Sequence, residues 1–134
     1  MARYTQQALP GQPGRSALRR QSYRALSDLR TEFQRTMAEP PSVSRRAARL
    51  WPAVAALEQV TDTVTATAVR GDVTGQRPLP RDVGQLAAAL RDMARSVREG
   101  QLPADLPLPR SDEARELADR AADLRRAISG EHAA

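Results

Sequence analysis

The sequence has no cysteine and one histidine, and only 3% of its residues are aromatic. Without cysteine there can be no disulfide, no thiolate-ligated zinc and no thiol nucleophile, which fits a reducing compartment. The lone His132 lies in the terminal GEHAA and reads as a solvated residue rather than a ligand or a catalytic group. Long apolar runs are missing too. The longest, Leu50 to Leu57, has eight residues and contains Pro52, whereas a bilayer-spanning helix needs about 18. The opening MARYTQQALPGQPGR has neither an apolar stretch nor a cleavage pattern, so it is not read as a secretory signal. Glycine-rich phosphate loops, Ser/His/Asp sets, metal-ligand spacings and paired carboxylates in a cleft-like setting are also absent. The sequence therefore points to no enzyme, and it singles out no catalytic residue, no cofactor and no metal.

What is present is helical. The 134 residues suit one domain with a modest core. Alanine recurs at helix-facing positions, so helices can approach with little side-chain volume between them. All 21 basic residues are arginine, a bias that a GC-rich coding sequence explains first. The charge is nevertheless uneven. Residues 1–50 carry ten arginines against Asp28, Glu32 and Glu39, a net of +7, and residues 51–134 carry eleven arginines against thirteen acids, a net of −2. Arginine binds phosphate through two donors at once, so a basic front could meet nucleic acid or anionic lipid head groups.

Read in order, residues 1–15 form a flexible N-terminal segment, broken by Pro10, Gly11, Pro13 and Gly14. A bundle domain follows over residues 16–130, with helices expected at about 16–38, 42–70, 81–99 and 111–128. Ser16 and Ser42 are the expected caps of the first two, and Pro40 and Pro41 separate them. The second is the central helix, kinked at Pro52, with Ala47, Leu50, Trp51, Val54, Leu57 and Val64 on one stripe and Gly71 as its end. Alternation of Thr61, Thr63, Thr65 and Thr67 with apolar residues would also suit a strand, but no second strand is available to pair with it. The third helix has the clearest amphipathic pattern and stops at Gly100. Residues 101–110 contain three prolines and read as an extended linker, open to proteolysis as residues 10–14 would be. Ser111 should cap the last helix, with Gly130 just past it. The expected fold is all-α, an antiparallel bundle of three to four helices with a Pro-kinked central helix. Phe33 and Trp51 are expected to share a core between the first two helices.

Residues 23–70 carry a further signal: the Tyr23-Arg24-Ala25-Leu26 start, Glu32-Phe33-Gln34, the Glu39-Pro40-Pro41 break, the Trp51-Pro52 step and the run from Leu57-Glu58 to Ala66-Val69. This stretch resembles the C-terminal soluble region of the fusaric acid resistance, or aromatic acid exporter-like, membrane proteins, particularly the actinobacterial ones. The resemblance implies a cytoplasmic helical accessory or assembly domain at the inner face of the cell membrane, whose partner is the membrane-embedded part of an exporter of aromatic or organic acids. It carries over no catalytic or substrate-binding residue, names no small molecule, and leaves homo-oligomers open.

Arg19, Arg20, Arg24, Arg45, Arg46 and Arg49 are the expected contacts to anionic lipid or phosphate. The rival reading is a free-standing Arg-rich helical protein that binds nucleic acid, with affinity falling steeply as salt rises. It lacks a helix-turn-helix signature.

Overall fold

The computed structural model describes residues 15–133, with Arg15, Ser42, Val43, Arg46 and residues 131–133 described by backbone alone. The remainder of the expected flexible segment, and the side chain of His132, lie outside the described residues. The chain is all-α. Four helices run over α1 (Arg15–Met37), α2 (Pro41–Thr74), α3 (Pro80–Glu99) and α4 (Arg115–Ala133), the last entered through a 3₁₀ turn at Asp112–Ala114. No strand occurs among the described residues.

α2 is about 51 Å long at 1.5 Å per residue. It starts at Pro41, one residue before the expected cap: Pro40 precedes it with no side-chain cap bond, and Pro41 takes the first position, where a missing N–H costs nothing. The helix continues through Pro52 without a break. Pro52 and Ala48 are both exposed, so the Ala48 carbonyl that loses its donor can turn to water. The threonine run is helical. Thr61, Thr63 and Thr67 are buried, and the Thr61 hydroxyl donates back to the Leu57 carbonyl at 3.0 Å. Here tertiary burial overrides the β preference of the side chains.

Gly71 does not end α2. The helix runs on to Thr74 and closes at Gly75, whose φ of 73° is left-handed and whose N–H donates to the Gly71 carbonyl at 2.9 Å. Gly71 is instead buried in the last turns, and a Cβ there would stand 3.0 Å from Arg77 Cγ. The missing side chain is what lets Arg77 fold back over the helix to reach Asp72 at 2.8 Å.

One core joins α2, α3 and α4: Val60, Val64 and Ala68 meet Leu86, Leu90 and Met93 on α3 and Leu117, Ala121, Leu124 and Ile128 on α4. α1 is different. It packs closely only on α2, and of its described apolar residues only Leu26 is buried. Tyr23 Oη donates to Asp62 at 2.9 Å, Arg30 meets Glu58 at 2.6 Å, and the Phe33 and Trp51 rings lie 5.0 Å apart, which together fix an antiparallel register. The Phe33–Trp51 pair therefore forms, but at the rim. Trp51 is 42% exposed, so the ring shields α1 rather than filling a core.

α2 runs antiparallel to each of its neighbours, whereas α3 and α4 run parallel to each other. The connector 101–110 makes this possible. Ten residues at about 3.1 Å each span some 30 Å, the length of the 20-residue α3. Asp92 Oδ2 accepts the Ala104 N–H at 2.7 Å, Arg125 of α4 donates to the Leu106 carbonyl at 2.8 Å, and Ser111 Oγ donates to Asp82 Oδ2 at 2.6 Å. Pro109 is buried and Leu108 packs on the core. The linker thus spans as expected, and it is fastened along its length. Ser111 turns its hydroxyl to α3 and makes no cap bond, while Gly130 lies inside α4 instead of beyond it.

Asp82 is 2% exposed and also accepts the Leu79 N–H at 3.3 Å, close to the positive end of α3. Asp82→Ala strands two donors and should lower stability by about 2–3 kcal/mol in urea unfolding; a loss near zero would show that this carboxylate does not organise the junction. Trp51→Ala, at a half-open site, should cost about 1–2 kcal/mol, below the 3–5 of a fully buried ring, and Trp51 emission should fall between buried and fully hydrated indole. Gly84 is exposed, and a Cβ there would meet nothing within 4 Å. Gly84→Ala should therefore stabilise by about 0.5–1 kcal/mol, visible as a rise in Tm.

Candidate functional site

The six arginines expected to meet an anionic partner do not form one patch. Arg19, Arg20 and Arg24 lie together on the exposed side of α1, where with Tyr23 and Ser27 they line a shallow groove of about 340 Å³. Their helix is held at this level by Tyr23, whose hydroxyl bonds to Asp62 and, at 3.4 Å, to Thr65. Arg45 and Arg49 sit near the start of α2, at the opposite end of the α1–α2 hairpin. From the residue offset the two sets are roughly 20–25 Å apart along the helix axis. Arg45 is partly engaged, its Nε donating to the Pro41 carbonyl at 3.1 Å. The Arg46 side chain lies outside the described residues. None of Arg19, Arg20, Arg24, Arg45 and Arg49 has an acidic partner among the described residues, which leaves their charge available to a ligand.

A second basic row escaped the reading by halves of the chain. Arg91, Arg95 and Arg98 recur at i, i+4 and i+7 on α3, and they line a groove of about 590 Å³ under the connector, with Ala88, Ala94, Ala104 and Leu106. Asp92 lies in the same groove and pairs with Arg95. The helical spacing of these arginines was legible, but the excess of acids elsewhere in residues 51–134 hid it in the net charge.

The third feature is apolar. α1 leans on α2 alone, so a furrow stays open between α1 and α3, with α2 and α4 beneath it. It holds about 430 Å³ and is walled by Leu29, Leu50, Val54, Leu57, Leu90, Met93, Ala94, Val97, Leu124 and Ile128. Leu29 and Val97, at 41% and 49% exposed, form its lips. In the sequence Ala94 and Val97 fall in helical register with Leu86, Leu90 and Met93; the structure puts them at this opening. Among the described residues Arg98 is the one charged residue in the wall, and it belongs to the basic groove as well. Among the described residues Arg98 has no ion pair or hydrogen-bond partner.

Several surface acids are engaged in ion pairs, such as Arg70 with Glu116 at 3.3 Å and Arg30 with Glu58. Exposed pairs of this kind contribute at most about 1 kcal/mol each. Among the described residues no three acids or histidines converge on a point where a metal could sit, and no helix is long and apolar enough to cross a membrane.

These features define an all-α bundle with basic and apolar grooves on its surface. Compared with protein-family models, curated proteins and solved structures, the chain matches none of them.

Proposed function

We propose that this chain acts by binding, as a membrane-side accessory and assembly domain of an exporter of the fusaric acid resistance type. The sequence resemblance over residues 23–70 motivates the reading, and the α1 groove supports it. Three arginines that lack acidic partners among the described residues share one exposed helix face, which is the charge pattern an anionic lipid surface attracts. Residues 23–70 also correspond to one structural unit, most of the α1–α2 hairpin, which the Tyr23, Arg30 and Phe33 contacts hold together. In this reading α1 faces the bilayer, and the exporter's membrane-embedded part is the partner.

The chain should bind vesicles rich in acidic lipid and not neutral ones, with release as salt rises. At roughly 1 kcal/mol per arginine near the surface, replacing Arg19, Arg20 and Arg24 together by Glu should weaken binding by more than a hundredfold. Arg45→Glu with Arg49→Glu, at the far end of the hairpin, should do less. Equal binding to neutral vesicles, or tighter binding to duplex DNA than to acidic vesicles at the same salt, would remove the membrane-side reading. The exporter link has its own check: a strain lacking this chain should become more sensitive to added aromatic carboxylic acids, and unchanged sensitivity would count against it.

A further inference from the structure

We propose that the apolar furrow between α1 and α3 is a binding site for a free fatty carboxylate, with the acyl chain on the hydrophobic walls and the head group on Arg98. This goes beyond the exporter reading and does not depend on it.

The dimensions select the occupant. The furrow runs from Leu50 to Leu57 on α2 and from Leu90 to Arg98 on α3, seven to eight residues in each case, or about 11 Å of helix. That length matches an extended medium-chain acid, and the walls along it are apolar. The volume also falls within the range of small-molecule pockets, which pair apolar walls with a few placed polar groups.

The charge selects the head. Among the described residues Arg98 is the single ionised residue of the wall, and it is exposed and has no acidic partner. A guanidinium presents two parallel donors to a carboxylate. Arg95 lies one turn back and Arg91 two turns back on α3, in the adjoining basic groove, where Asp92 offsets the Arg95 charge by pairing with it. An alcohol of the same length would gain the walls without the ion pair, and an alkylammonium would be repelled.

The test is titration of the full chain with octanoate, decanoate and decanol below their aggregation concentrations, by calorimetry and by amide chemical shifts. Affinity should rise about threefold to fourfold per added methylene, and decanoate should bind at least tenfold more tightly than decanol. Shifts should cluster at Leu29, Leu57, Val97 and Leu124. Arg98→Ala should cost decanoate about tenfold and leave decanol unchanged. Ala94→Trp, filling the furrow from an exposed position, should abolish binding of both while helicity is retained. Equal affinity for decanoate and decanol, or no effect of Arg98→Ala, would overturn the head-group assignment. Shifts confined to the α1 arginines, binding to bilayers but not to monomeric decanoate, or capture of an amphipathic helical peptide instead of decanoate would overturn the site.

Discussion

Two buried carboxylates on α3 hold the chain to its topology. Asp92 takes the N–H of Ala104 at the start of the connector, and Asp82 takes the hydroxyl of Ser111 at its end. Between them the connector must return along the whole of α3, so α4 begins where α3 began and the two run parallel. Arg125 closes the arrangement from α4 by gripping Asp105 and the Leu106 carbonyl. An extended segment exposes many backbone groups, and prolines at 103, 107 and 109 reduce the donors that must be satisfied. Buried acids are costly when unpaired, so the same contacts that fix the connector are what make the acids tolerable.

The rest of the architecture follows from what that triangle leaves over. α2 gives the C-terminal half of its length to the core with α3 and α4, where Val60 and Val64 are fully buried. α1 lies along another side of α2, with contacts running from Thr65 and Asp62 through Glu58 to Trp51. α1 is attached through a single buried leucine, a ring pair and a few polar contacts. It has no close contact with α3, and the furrow is the space between the two. Surface binding features thus arise where a marginally packed helix meets a well-packed core.

Charge and apolar surface are separated along the molecule. Arg19, Arg20 and Arg24 sit at the outer end of α1, Arg45 and Arg49 at the inner end of the hairpin, and Arg91, Arg95 and Arg98 on α3 beside the furrow. One arginine, Arg98, borders both kinds of surface.

Local sequence determined the elements. Periodic apolar residues marked four helices, Pro40 and Pro41 marked the first break, and Gly100 marked the end of α3, because each of these signals acts through neighbouring residues alone. Gly71 misled because glycine also serves close approach, here of Arg77, and the helix needed a left-handed residue only at Gly75. Ser111 misled for a similar reason, since its hydroxyl serves Asp82, 29 residues away, instead of its own helix. The exposure of Trp51 and Val97 could not be read from their stripes, because a stripe shows which side is apolar and not whether another helix covers it. The parallel pairing of α3 with α4, the furrow and the separation of the arginines were decided only by tertiary structure, since each depends on contacts between residues far apart in the chain.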